Sequence, residues 1–158
     1  MIGDINIEKP IVFLDIDGVL NSTQFFHKDN LLPKNDKRSH LDSSAIKHLN
    51  EIADWNFVLS SSWRKYHDID SINNMLSSMG FKGKILDYTP VLNWKGRVRG
   101  NEIAVWLGDN KMRDSKNYVI FDDDSDMLYS QRNNFVHVDN YFGLGPNHVW
   151  RAKKMLNL

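Results

Sequence analysis

Two aspartates separated by a single residue, Asp15 and Asp17, are the side chains of this sequence best placed to do chemistry. They follow the apolar run of residues 11–14 and precede Gly18, which allows the chain to turn sharply. Two carboxylates this close repel each other, so such pairs are found with a bound cation or a shared proton. The segment predicts half of a magnesium and phosphate site. Its alternative interpretation is a strand followed by an ordinary Asp-Gly turn.

A second acidic segment follows the apolar run of residues 118–121. Four of the five residues from Asp122 to Asp126 are aspartates, and like charges this close destabilise a fold unless a cation lies among them. A calcium loop of the EF-hand type is excluded, because neither acidic segment has the required glycine at its sixth and glutamate at its twelfth position. The segment is therefore a candidate for a further part of the phosphate site.

Hydroxyl groups follow a third apolar run and are the next candidates. This run ends in three serines, Ser60, Ser61 and Ser62. A serine hydroxyl or its backbone N–H at a strand end can hold a phosphoryl oxygen, although serines also end strands in plain turns. Arg64 follows closely, and it could clamp a substrate phosphate or form a structural ion pair.

Three cations precede a predicted helix, namely Lys95, Arg97 and Arg99. A cation aimed at a transferring phosphoryl group stabilises its charge and screens the negative charge of the nucleophile. By itself, the same pattern is also typical of a solvated basic loop.

The elements that must position these residues alternate between strands and helices. Strands are predicted at Ile11–Asp15, Phe57–Ser61, Tyr118–Asp122 and Phe135–Val138, with a weaker one at Lys84–Leu86. Apolar residues at helical spacing predict helices at Leu41–Asp54, Asp68–Met79, Gly100–Leu107 and Pro146–Leu156. Such alternation predicts an α/β fold with a parallel sheet covered on both faces. Open α/β sheets bind ligands at the carboxyl ends of their strands, where the candidate residues lie.

The composition excludes several classes of protein. The 158 residues include no cysteine, which excludes disulfides, thiolate zinc sites and cysteine nucleophiles. Twenty basic residues balance twenty acidic ones, so no global attraction to nucleic acid is indicated. A local groove that binds nucleic acid is compatible with this charge balance. No stretch approaches the ~20 apolar residues that span a bilayer, and residues 1–10 lack the apolar core of a signal peptide. We expect a cytoplasmic protein with no membrane partner.

The length predicts a single domain over residues 1–158. The segment Asn21–His40 is polar, lacks steady periodicity and comes soon after Asp17, so it is a flap or lid loop or else a plain surface loop. Several aromatic residues could stack a nucleic acid base, although each is more often a core residue: Phe25, Phe26, Trp63 and Trp94.

From end to end the chain resembles the haloacid dehalogenase-like (HAD) phosphohydrolase superfamily. Residues 15–19, Asp-Ile-Asp-Gly-Val, are similar to its first motif, Asp-x-Asp-Gly-Val/Thr. The pair Asp122-Asp123, with Asp126, is similar to its fourth, acidic motif.

The second and third motifs of the superfamily are less specific. Ser61 is similar to the Ser/Thr of the second motif, with Ser60 as a neighbouring candidate. Arg99 is similar to the cation of the third motif, with Lys95 or Arg97 as alternatives. The family usually has lysine there, so an arginine departs from its commonest form.

The resemblance implies a role for each acidic residue. Asp15 would attack phosphorus and form an aspartyl-phosphate, and Asp17 would serve as general acid and then base. Mg²⁺ would be held by Asp15, the backbone carbonyl of Asp17 and Asp123, with Asp122 and Asp126 in support. Ser61 and Arg99 complete the catalytic set. The candidates for substrate binding are Gly18, Ser62, Arg64 and Lys95.

The resemblance also implies a Rossmann-like three-layer sandwich with a central parallel sheet and a minimal cap or none. The chain is similar to small bacterial and phage HAD proteins, some associated with nucleic acid repair and others grouped near 5′-nucleotidases. We therefore expect a Mg²⁺-dependent phosphomonoesterase that acts on a nucleotide or a nucleic acid terminus. A protein or small-metabolite phosphatase of the same chemistry, and a non-catalytic binding module of this fold, are the alternatives.

Overall fold

The computed structural model describes residues 5–28 and 40–158. Five strands form one all-parallel sheet: β1 (Ile11–Leu14), β2 (Asn56–Leu59), β3 (Ile85–Tyr88), β4 (Tyr118–Asp122) and β5 (Phe135–His137). Their order across the sheet is β3-β2-β1-β4-β5, so β1 is the central strand. The short apolar runs become strands with both faces covered, and β1, β2 and β4 are buried along their whole length.

Helices cover both faces of the sheet. They are α1 (Thr23–Lys28), α2 (Ser43–Leu49), α3 (Ile69–Ser78), α4 (Arg99–Asp109) and α5 (Pro146–Met155). Residues on one face of β1, Val12 and Leu14, pack in a core with apolar residues of α2, α3 and α5. The alternate residues, Ile11 and Phe13, pack in a second core with α4. This two-sided packing makes the three-layer α/β sandwich that was predicted, and it confirms the expected fold class.

Most predicted elements form within a few residues of their expected bounds. The long helix expected over Leu41–Asp54 is instead the shorter α2 followed by a turn of 3₁₀ helix, Asn50–Ile52. The segment Asn21–His40 was predicted to be a flap or surface loop, but the helix α1 forms in its first part. Its residues 29–39 lie outside the described part of the chain. The sequence did not predict α1, because a helix of six residues shows too little periodicity.

Across residues 5–28 and 40–158, every helix falls short of the length and apolar character needed to cross a membrane.

Candidate active site

The order of the strands brings the two acidic segments together. In the register of the sheet, Leu14 at the end of β1 pairs with Phe121 of β4 and with Leu59 of β2. Asp15 therefore follows β1 at the level where Asp122 ends β4, and its backbone N–H donates to the Phe121 carbonyl at 3.0 Å. The candidate residues meet at the carboxyl edge of the sheet because all these strands are parallel.

Asp15, Asp122 and Asp123 form an acidic cluster in which one carboxylate oxygen of each lies within 4.8 Å of the others. Burial raises the pKa of Asp15 to about 7, although Arg99 and a hydrogen bond with Ser61 lower it in part. Burial and the charge of Asp15 raise the pKa of Asp122 to about 8. Burial also raises the pKa of Asp123. Three carboxyl groups that resist ionisation together fit a divalent cation, and carboxylate oxygens are the ligands that Mg²⁺ prefers.

Gly18 allows the acidic cluster to close against the first motif. Its φ is +76°, and a Cβ added to it would lie 2.5 Å from the Oδ2 atom of Asp123. Only glycine combines this left-handed backbone with the space that the Asp123 carboxylate occupies. The structure thus gives Gly18 a role in the shape of the site, beside its predicted role in substrate binding.

Among the described cations, Arg99 is the one that pairs with the cluster. Its guanidinium Nη2 lies 4.0 Å from Asp15 Oδ1, and its Nε lies 3.5 Å from Asp122 Oδ2. Burial works against the charge of Arg99, yet the carboxylates around it raise its pKa, so it stays protonated. The backbone N–H of Arg99 opens α4 and donates to Asp126 Oδ2 at 2.8 Å, which holds the first turn of this helix at the site.

The three serines after β2 have different surroundings. Ser61 is fully buried and its side chain is hydrogen-bonded to that of Asp15. The Ser60 hydroxyl is also buried but has no hydrogen-bond partner among the described residues. Ser62 is exposed and lines the cleft beside Arg99. Of the two candidates for the second motif, the structure brings Ser61 to Asp15.

Asp17 is oriented by two donors that lie on different parts of the chain. Its Oδ1 atom accepts a hydrogen bond from the indole Nε1 of Trp63 at 3.1 Å and another from Asn21 Nδ2 at 3.0 Å. The second Asn21 amide atom, Oδ1, accepts the backbone N–H of Gly18 at 3.0 Å. One carboxylate oxygen of Asp17 is therefore fixed. Sequence reasoning missed both donors, since it considered Trp63 only as a core residue or as a platform for a base.

Arg64 forms a structural ion pair, which is one of the two roles that the sequence suggested for it. Its Nη2 lies 2.5 Å from Glu102 Oε2, and both side chains are almost completely buried. Arg97 and Arg99 also approach the Glu102 carboxylate, at 3.7 and 4.0 Å. Sequence reasoning did not identify Glu102 as a site residue. The only sequence feature that pointed to it is its place as an acidic residue in the first turn of a helix, close to three cations.

Other predicted residues stay outside the cluster. Lys95 is exposed in the loop between β3 and α4, and it makes no ion pair with an acidic residue of the described chain. Trp63 is fully buried and Phe26 nearly so, which fits the core alternative for these two rings, and Phe26 also lines a cleft beside Asp17. Trp94 is half exposed.

Comparison with known proteins identifies a family for nearly the whole chain. Residues 11–149 match the family described as HAD domain in Swiss Army Knife RNA repair proteins. Comparison with curated proteins and with solved structures gives no further match. The matched range contains all five strands and every residue of the candidate site.

Proposed function

Because the chain belongs to the family of HAD domains found in Swiss Army Knife RNA repair proteins, we propose that it is a Mg²⁺-dependent phosphomonoesterase that removes a terminal phosphate from RNA. Membership of the HAD superfamily indicates phosphohydrolase chemistry in general. The observation that carries the finer proposal is the acidic cluster with Asp17 and Arg99 around it, which contains a nucleophile, an acid and a cation within one site.

In the first step the carboxylate of Asp15 attacks phosphorus, and the bond between phosphorus and the leaving oxygen breaks. Asp17 donates a proton to that oxygen, so the leaving group departs as a neutral alcohol. The hydrogen bonds from Trp63 and Asn21 to Oδ1 of Asp17 leave its other oxygen available to carry the proton.

In the second step Asp17 accepts a proton from water as the water oxygen attacks phosphorus. The bond between phosphorus and Asp15 breaks, which releases inorganic phosphate and restores both aspartates. Arg99, held by Asp126, faces the negative charge that develops on the phosphoryl oxygens, and the Ser61 hydroxyl orients Asp15.

The metal would be held by Asp15, Asp123 and the backbone carbonyl of Asp17. When bound, it supplies charge neutralisation for the phosphoryl oxygens. Asp122 is less available, because its Oδ1 accepts the Asp124 N–H at 2.9 Å and its Oδ2 lies beside Arg99. The Asp123 carboxylate has no such cation next to it among the described residues, and it lies against Gly18. This difference supports Asp123 as the acidic ligand of the fourth motif.

The test is phosphate release from a panel of substrates by the wild-type protein and Asp15→Asn, with Mg²⁺ and with a chelator. The panel contains 3′- and 5′-phosphorylated RNA, the same ends in DNA, nucleoside monophosphates, sugar phosphates and phosphopeptides. We expect release that requires Mg²⁺ and Asp15 and is fastest for phosphorylated RNA. Release from sugar phosphates or phosphopeptides alone would contradict the RNA substrate. Release from no member, with Mg²⁺ bound, would favour the non-catalytic module.

A further inference from the structure

A cleft of about 400 Å³ adjoins the acidic cluster on the side of β2, and we call it the basic cleft. Its cations are Arg64, Lys65, Arg97 and Arg99. Arg99 belongs both to this cleft and to the surroundings of Asp15, so the two spaces are contiguous. A molecule whose terminal phosphate lies at Asp15 can therefore extend into the basic cleft.

The cations of the basic cleft are unequally paired with carboxylates. Its two acids are Glu102 and Asp126. Arg64, Arg97 and Arg99 all share the single carboxylate of Glu102, and only Arg64 makes a close contact with it. Glu102 is taken up by Arg64, and Arg99 also faces Asp15 and Asp122, so Arg97 and Lys65 leave the positive charge that an anionic ligand would satisfy.

Two buried polar atoms at the basic cleft also lack partners. The Nε of Arg64 and the Oδ1 of Asp126 have no hydrogen-bond partner among residues 5–28 and 40–158. The Arg64 side chain is only 3% exposed, so its donor is not served by bulk water. A buried charged donor without a partner is costly, and a polar ligand or ordered water in the cleft would lower that cost.

A second cleft beside the acidic cluster has a different chemistry. This cleft of about 280 Å³ is lined by Asp17, Asp123 and the amides of Asn21 and Asn140, and it has no Lys or Arg among the described residues. A polyanion is repelled from this second cleft and attracted to the basic cleft. The charge difference thus gives a direction to any strand that leaves the site.

We propose that the basic cleft binds a second phosphate of the substrate, the phosphodiester next to the terminal phosphate of an RNA strand. This inference rests on the proposed function, since it assumes that the terminal phosphate is bound at Asp15. Arg97 is the main contact, because its side chain is 39% exposed and its closest acidic atom lies 3.7 Å away.

The test measures binding to the Asp15→Asn protein in Mg²⁺, so that it does not depend on turnover. The ligands are a terminally phosphorylated RNA dinucleotide, the same molecule with an uncharged methylphosphonate linkage, and a nucleoside 3′,5′-bisphosphate. We expect the charged dinucleotide to bind about tenfold more tightly than the neutral one, as one charge-assisted hydrogen bond implies. Adding Arg97→Gln should remove this difference.

Arg113→Gln is the matched control, because Arg113 is exposed and follows the C-terminal end of α4, a helix about 16 Å long that begins at Arg99. That variant should keep the tenfold difference. Equal affinities for the charged and neutral linkages in the Asp15→Asn protein would overturn the inference. A bisphosphate that binds as tightly as the dinucleotide would assign the cleft to free nucleotides and would also overturn it. Failure of the proposed function appears separately, as absence of turnover in the wild type.

Discussion

Replacing Asp15 with asparagine should stabilise the metal-free protein while it abolishes turnover. Asp15 is 5% exposed, and burial raises its pKa from an ordinary value near 3.8 to about 7. In the unfolded chain the same carboxyl group ionises near pH 4. A group with a raised pKa in the folded state contributes stability at low pH that is lost as the pH rises through the folded pKa. The metal-free protein should therefore lose stability between about pH 4 and about pH 7.

The size of the effect follows from the same shift. A rise in pKa from 3.8 to about 7 corresponds to about 4 kcal/mol at a pH well above 7. This shift already includes the attraction of Arg99 and the hydrogen bond of Ser61, and asparagine resembles the protonated acid, so the gain at pH 8 should be up to about 4 kcal/mol. At pH 5 Asp15 is protonated in the folded protein but already ionised in most unfolded chains, so the gain should be less than half of that at pH 8.

Urea unfolding of the wild type and Asp15→Asn in a chelator, at pH 5 and pH 8, measures this difference. Asp114→Asn is the matched control, because Asp114 is exposed and lies outside the acidic cluster; its stability should follow that of the wild type at both values of pH. A variant whose gain does not grow between pH 5 and pH 8 would refute the reasoning. Such a result would mean that the buried carboxylate carries no cost in the metal-free protein.

Three further outcomes follow from the geometry of the site. Gly18→Ala should weaken Mg²⁺ binding at least tenfold in calorimetry. Gly96→Ala is the control, because Gly96 has a similar φ of +78° and an added Cβ would meet no atom there, so this variant should bind Mg²⁺ like the wild type. Equal affinities of the two variants would show that the contact with Asp123 is unimportant. Asp123→Asn should weaken Mg²⁺ binding more than the same change at Asp122, and the reverse order would exchange their roles. Trp63→Phe removes a donor to the acid/base carboxylate; it should lower kcat about tenfold and shift the pH–rate profile, and an unchanged profile would indicate a purely structural role.

The sequence predicted those parts of the site that follow directly from buried strands. Asp15 and Asp122 each end an apolar run, and parallel strands bring such ends to one edge, so their proximity could be expected before the structure was known. The preference for Ser61 over Ser60 could not be predicted from the sequence, because it depends on which hydroxyl is hydrogen-bonded to Asp15.

Contacts between side chains that lie far apart along the chain could not be predicted from the sequence. The hydrogen bond from Trp63 to Asp17 joins residues 46 positions apart, and the pair of Arg64 and Glu102 joins residues 38 positions apart. Neither spacing has a periodicity that a helix or strand would produce, since each contact depends on how β2, α4 and the loop after β1 pack. Local patterns therefore identified the charged groups, while the tertiary fold decided their partners.

The most direct test of the central claim is to trap the phosphoryl group on the enzyme. Asp17→Asn removes the acid and base that the second step requires, so a substrate with a good leaving group, such as 4-nitrophenyl phosphate, should still phosphorylate this variant. Mass spectrometry of the acid-quenched reaction should then show one added phosphoryl group, on the peptide that contains Asp15. A phosphoryl group on another residue, or phosphate release that persists in Asp15→Asn, would contradict the mechanism.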